Sequence, residues 1–252
     1  MKLQDAAQRL GVHYQTAYRW VRAGELPAAK IGRGYHVTDE DLRRFQSDRA
    51  VGQPPPPAIQ VRDWHNQVRR LFASLATGDE RRARLQLDRL CTGKVPVVDI
   101  CTLLLAPALA QIGEAWATGR MSVAEEHRAS AICERLLAPL AQPRPGRPRG
   151  VCVVTTPPGE QHDLPALMAT AVLREDHWVV HHLGANVPWA ELAELAEQVD
   201  ATLIVLSTTK MGAGSAASEF RALRGRLPNA RVVVGTSGSS LHNLLTSARG
   251  QA

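Results

Sequence analysis

The sequence predicts a multidomain α + α/β protein: a small helical head with a two-strand wing, a four-helix bundle, and a doubly wound parallel sheet of the Rossmann-like kind. Three observations carry this. Two proline-rich breaks divide the 252 residues into three parts. The middle part has the apolar periodicity of helices, and the last alternates short β-rich runs with helical segments.

Composition narrows the class before any motif is read. The formal charge of +6 permits a nucleic-acid partner without establishing one. No uninterrupted apolar run approaches about 18 residues, and the N-terminus lacks a basic-then-apolar leader, so a soluble, cytoplasmic protein with no membrane partner is expected. Cys91, Cys101, Cys133 and Cys152 are scattered, with no Cys-x-x-Cys pair. They read as buried thiols of a reducing compartment and not as a disulfide or zinc framework.

In chain order, residues 1–50 come first. LQDAAQRLGV and HYQTAYRWVR are two short helical stretches, and the second presents Tyr14, Gln15, Thr16, Tyr18 and Arg19 among few apolar groups. KIGRGYHV then reads as two short strands with glycine at the turn and basic residues at the edge. Residues 51–60, with four consecutive prolines, form a semi-extended linker that cannot continue a helix. Residues 61–142 hold helical patterns at 61–77, 79–92, about 97–118 and 122–141, a four-helix bundle. The almost continuous apolar run DICTLLLAPALAQIGEAW suits its central helix. The arginine-rich GDERRARLQLDRL reads as a solvated helix face. Residues 143–150 are a second, basic linker.

In residues 151–252, VCVVTT, WVVHHLG, ATLIVLS and ARVVVGT are separated by helical segments, which predicts parallel strands with right-handed crossovers. Ligands of such sheets sit outside the carboxyl ends of the strands. The stretch GEQHDLP, residues 159–165, lies just past one such end. A neutral imidazole can give one nitrogen to a metal while a carboxylate holds the other N–H. Glu160, two residues before His162, is placed to do that; equally, a loop histidine here could cap the following helix. His181 and His182 are adjacent on a strand and face opposite sides. His13, His36, His65, His177 and His242 read as surface or local hydrogen-bonding residues.

Three resemblances draw these readings together. AAQRLGV, TAYRWVRAGELPA and GRGYHV…EDL are similar to the excisionase-type helix-turn-helix, related to the winged helix of MerR-type regulators. The resemblance implies that the second helix enters the major groove, with Gln15, Thr16 and Arg19 toward base edges, Tyr18 beside them on the DNA, and Lys30 and Arg33 on phosphates. It also implies a dimer or tetramer on repeated half-sites of DNA. The sheet part resembles the cobalamin-binding fold, whose signature is Asp-x-His-x-x-Gly, then Ser-x-Leu, then Gly-Gly on successive strand ends. Glu160, His162 and Pro165 stand for the first element, Ser207 for the second and Gly235 for the third. His162 is thereby implied as the lower axial cobalt ligand, with Glu160 and Ser207 behind it. The cofactor's benzimidazole tail is implied in a slot near Ser207 and Gly235. Pro165, Thr209 and Thr236 replace smaller or different residues of that signature. The chain also ends soon after LHNLLTSARGQA, earlier than the fold's usual fifth strand and final helix.

Lastly, GEAWATGRMSVAEEHRAS resembles the helical cap of cobalamin-dependent light-sensing repressors of the CarH and LitR kind. A tryptophan followed after nine residues by Glu-His closes there over the upper adenosyl group. These are Trp116, Glu126 and His127, with Val123 nearby, whereas Ala117 stands where that family commonly has a histidine. Core tryptophan and solvated Glu-Glu-His is the bland reading of the same residues. The resemblance as a whole implies a DNA-binding transcriptional regulator, a repressor and not an enzyme, sensing light through adenosylcobalamin. The alternatives are a corrinoid carrier subunit of a methyltransferase, or a regulator sensing another cobalamin, another tetrapyrrole or a protein.

Overall fold

The computed structural model of the chain describes residues 1–10, 14–22, 26–31, 34–50, 63–209, 217–236 and 238–250. It divides into two compact units, Met1–Ala58 and Ile59–Ala252.

In the first unit, helix α1 (Leu3–Arg9) and helix α2 (Tyr14–Arg22) precede a hairpin of β1 (Ala29–Ile31) and β2 (Gly34–His36), followed by α3 (Asp39–Ala50). Small and apolar residues at helical spacing decide the packing. Leu3, Ala6 and Ala7 of α1 and Ala17 and Trp20 of α2 are buried with Leu26, Val37, Leu42 and Phe45. The hairpin is antiparallel with Lys30 opposite Tyr35. Asp39, Glu40 and Asp41 fill the first turn of α3, where the helix dipole favours negative charge.

The second unit opens with α4 (Trp64–Thr77) and α5 (Glu80–Thr92), each begun by an aspartate side chain: Asp63 accepts from Asn66 N and Asp79 from Arg82 N. Gly78, at φ +77°, ends α4 in the left-handed conformation that glycine adopts without steric cost. A long helix follows, Val97–Ala117. It comprises α6 (Val97–Asp99), a π-helical turn over Ile100–Leu105, and α7 (Ala106–Ala117). The widened turn has a physical cause: Pro107 has no N–H to donate, and its ring would collide with the carbonyl four residues back. By length and composition this helix could cross a bilayer, but Ile100, Cys101, Leu104, Leu105, Ala108, Ile112 and Ala115 are buried in the core of the helical domain. Helix α8 (Val123–Leu137) completes that domain, with Ser122 and Glu125 forming a capping box at its start.

The sheet domain runs β3 (Val151–Thr155), α9 (Leu164–Glu175), β4 (Val179–His182), α10 (Trp189–Gln198), β5 (Leu203–Ser207), α11 (Ala217–Arg226), β6 (Arg231–Gly235) and α12 (Leu241–Ala248). Strand order is β4-β3-β5-β6, all parallel among the described residues. Both faces are covered, as a parallel sheet requires. Val153, Ile204 and Leu206 pack with α10 and α11, and Cys152, Val154, Leu203 and Val205 with α9 and α12. The order reverses between β3 and β5, so the connections leaving them go to opposite faces and a crevice opens at their carboxyl ends.

Helix α9 belongs to two cores at once. Ala166, Ala169 and Leu173 face the sheet, while Met168, Ala171 and Val172 lie in the core of the helical domain. Further bonds cross the same seam: Val97 N donates to Glu175 (2.8 Å), Arg174 donates to the Ala141 carbonyl, and His242 meets Asp99 (3.1 Å). The stretch expected as a linker at 143–150 is bonded near its end to the sheet domain. Arg149 donates from its backbone to the His177 carbonyl and from its side chain to the Asp176 carbonyl. One thiol also departs from expectation: Cys91 is exposed, whereas Cys101, Cys133 and Cys152 are buried. Burial pushes the thiol of Cys133 up to about 12.

Candidate functional site

At the crevice, the loop after β3 meets the loop after β5. Glu160 is 5% exposed, and both of its carboxylate oxygens are occupied. Oε1 accepts from the His162 backbone N (2.9 Å) and from its ring Nδ1 (2.5 Å). Oε2 accepts from Thr209 N and Thr209 Oγ1, both at 2.6 Å, and from Thr208 Oγ1 at 3.5 Å. Burial alone would push this carboxyl up. The bonds from Thr209 and then His162 outweigh it and hold the group down at about 2. An ionised carboxylate only accepts, so Nδ1 of His162 must be the donor and the lone pair of the neutral ring sits on Nε2. The His162 side chain is 60% exposed. An imidazole Nε2 is therefore held at the mouth of the crevice, with Nδ1 bonded from behind.

Neighbouring loops brace this arrangement. Thr156 Oγ1 donates to the Glu160 carbonyl (2.6 Å) and accepts from Asn186 N (2.8 Å). Gly159 N donates to Asn186 Oδ1 (2.7 Å), and Gly159 has φ +87°, a conformation that strains any residue with a β-carbon. Asp163 does not cap α9 with its side chain; it pairs instead with His182 Nε2 at 3.0 Å. Pro165 sits in the first turn of α9, where its missing N–H costs nothing.

Two sequence expectations change here. Ser207, expected behind His162, is the last residue of β5 and lies in register with Gly235. The residues that hold Glu160 are the next two, Thr208 and Thr209. Thr209, which departs from the signature, is the principal donor to Glu160. Gly235 and Ser207 are brought together, and a β-carbon at Gly235 would meet nothing nearer than Leu206 O at 3.9 Å. Among the described residues, nothing else approaches that position over the ends of β5 and β6. Thr236 turns toward Ser239, its N donating to the Ser239 hydroxyl at 2.9 Å.

The cap residues gather at the corner between α7 and α8. Trp116 is 50% and Val123 55% exposed. Of the adjacent glutamates, Glu125 is consumed by the capping box, while Glu126 accepts from Ser130 Oγ at 2.7 Å. His127 is largely exposed and donates Nδ1 to the Val123 carbonyl at 3.0 Å, leaving Nε2 free. Trp116 is therefore not a core tryptophan. No hydrogen bond or ion pair joins these four residues to the His162 loop among the described residues.

Of the residues expected on DNA, Tyr18 and Lys30 are exposed. Tyr18 stacks on Tyr14 (centroids 6.2 Å apart) and meets Tyr35 of the hairpin edge-on at 5.7 Å, which pins α2 to β2. The side chains of Gln15, Thr16 and Arg19, and the whole of Arg33, lie outside the described residues.

Comparison with known proteins agrees with this division. Residues 1–50 match the family described as helix-turn-helix domain, and residues 67–140 and 150–250 match two families described as B12 binding domain. The matches thus fall on the head, the helical domain and the sheet domain in turn. It is similar to the HTH-type transcriptional repressor CarH of Myxococcus xanthus, at 30% identity over 76% of this chain and 61% of that protein. It is also similar to the HTH-type transcriptional repressor CarA of the same organism, at 29% identity over 81% of this chain and 66% of that one. It therefore spans between three fifths and two thirds of these relatives' length. The monomethylamine corrinoid protein of Methanosarcina barkeri, 16% identical, superposes with a TM-score of 0.53 over 73% of this chain and 90% of that one, a likeness of fold alone.

Proposed function

We propose that this chain is a DNA-binding transcriptional repressor that senses light through adenosylcobalamin, with His162 as the lower cobalt ligand. The observation that carries the reading is the 2.5 Å bond from His162 Nδ1 to a carboxylate that is itself fully bonded. That arrangement fixes the tautomer and the direction of Nε2, which is how proteins prepare a metal-binding imidazole. The lack of a side chain at Gly235, with no described atom but Leu206 O within reach of a β-carbon there, suits a flat aromatic tail lying between strand ends. When bound, adenosylcobalamin supplies a light-sensitive cobalt–carbon bond. Trp116 and Val123 offer exposed apolar cover for an adenosyl group, and Glu126 an acceptor for its hydroxyl or amino donors. Helix α9 begins immediately after His162 and packs into both cores, so a shift at the loop reaches the helical domain through continuous contacts. A ligand can move assembly or DNA affinity only by its preference for one state, so adenosyl contacts at the α7–α8 corner must differ between dimer and tetramer.

The head would place Gln15, Thr16 and Arg19 against base edges on repeated half-sites, with Tyr18 beside them and Lys30 and Arg33 on phosphates. The corrinoid-carrier alternative leaves the helix-turn-helix match of residues 1–50 without a task. The test is the absorption spectrum of the protein loaded with adenosylcobalamin, before and after illumination, with light scattering and DNA binding on the same samples. An imidazole-ligated spectrum, a light-induced change in mass and altered DNA affinity are expected. A protein that retains no cobalamin would end the reading.

A further inference from the structure

The outer face of α4 and α5 carries charge that the protein leaves unspent. Arg70 of α4 and Arg82 and Arg89 of α5 line a groove of about 260 Å³, together with Gln67, Gln86 and Leu85. Its floor is fixed, because Gln86 Nε2 donates to both the carbonyl and the side-chain oxygen of Gln67 at 2.8 Å. The carboxylates of the same helix pair are largely engaged elsewhere. Asp63 and Asp79 cap the helices, and Glu80 is taken by Arg84 and Arg135. Asp88 remains exposed and unpaired, whereas Arg70, Arg82 and Arg89 form no ion pair among the described residues. Leu85 stands 47% exposed between them.

Arg82, Gln86 and Arg89 follow one stripe of α5 at i, i+4 and i+7, about 10 Å along the axis. A DNA duplex carries one negative charge per about 1.7 Å of axis, so such a stripe faces several phosphates at once. Guanidinium forks match phosphate oxygens two at a time. Leu85 can cover a deoxyribose between them.

We propose that the α4–α5 groove is a second DNA-contact surface, gripping backbone phosphates of the duplex without reading sequence. This rests on the DNA-binding reading of the head. The occupant is nucleic acid, since the chain already presents a helix-turn-helix domain and a net charge of +6.

The test uses the full chain and a mixed-sequence duplex of about 40 base pairs, titrated over a range of salt. The triple variant Arg70→Gln, Arg82→Gln, Arg89→Gln changes exposed groups only, and an unchanged melting temperature would confirm its fold. Each lost phosphate contact lowers the slope of log affinity against log salt by about 0.9, so a fall of 2 to 3 is expected. An intact chain that binds with a slope unchanged in the variant overturns the groove and leaves the head's role standing. An intact chain that does not bind DNA overturns both. If the variant keeps its DNA slope but loses binding to polyglutamate, the groove takes an acidic protein and not DNA.

Discussion

The His162 loop and the α7–α8 corner, the two halves of the proposed cobalamin site, are built on opposite terms. Around His162 the protein supplies its own partners: a 5%-exposed carboxylate, two threonines and a laced loop hold one ring in place. At the corner, Trp116 and Val123 are half exposed, and among the described residues His127 is bonded only to its own helix. The first half is organised before any ligand arrives and favours affinity. The second has contacts to gain from a ligand, which is where discrimination between ligands is made.

The sharpest way to break this contrast is His162→Ala. Losing the ligand itself should cost more than the roughly 10–100-fold typical of removing an outer partner. The imidazole-ligated spectrum should vanish while DNA binding without cobalamin persists. An unaltered spectrum would remove His162 from the cobalt.

Thr209→Val comes next. It deletes a hydrogen bond to a charged, buried group, a loss of roughly 1.5–3 kcal/mol. Glu160 is held at about 2 against an ordinary 4.5, so its stabilisation is complete above 4.5 and is lost as pH falls toward 2. With a donor gone the carboxyl titrates higher, and ligand-free protein should unfold at a higher pH. An acid midpoint that does not move would mean Thr209 contributes nothing to the pair.

At the corner a smaller effect is expected. Trp116→Ala should weaken adenosylcobalamin about tenfold, the order expected of an aromatic stacking contact, and leave methylcobalamin unaffected. Because the indole is exposed, stability should stay within about 0.5 kcal/mol. Equal losses for both cobalamins would assign Trp116 to packing. The smallest effect belongs to His127→Ala. His127 sits in the first turns of α8 and Ala117 cannot ligate, so the illuminated protein should lack a bis-histidine spectrum, and the substitution should change nothing. A bis-histidine spectrum abolished by His127→Ala would show that the corner rearranges on illumination.

Much of this was legible in the chain because the signals are local. The four β-rich runs are strands because branched apolar residues suit a sheet buried on both faces. Glu160 and His162 are two residues apart, close enough to meet through one turn of loop. Trp116, Glu126 and His127 were visible as a spacing; Trp116 and His127 are exposed and Glu126 is half-buried. The split between Glu125 and Glu126 was legible too. The spacing Ser122-x-x-Glu125 marks a capping box, a signal the sequence reading did not use, and the structure shows it formed.

The sequence by itself determined the order of parts, the parallel strands and the histidine beside its carboxylate, since each follows from residues near one another along the chain. Tertiary structure alone decided that Thr208 and Thr209, 48 and 49 residues beyond Glu160, would hold that carboxylate, and that Ser207 would lie further back beside Gly235. It also decided that α9 would serve two cores and that the 143–150 segment would be bonded near its end to the sheet domain. The reason is the same in each case. Strand order places β5 directly beside β3, and no local pattern records which strand ends, or which faces of one helix, become neighbours.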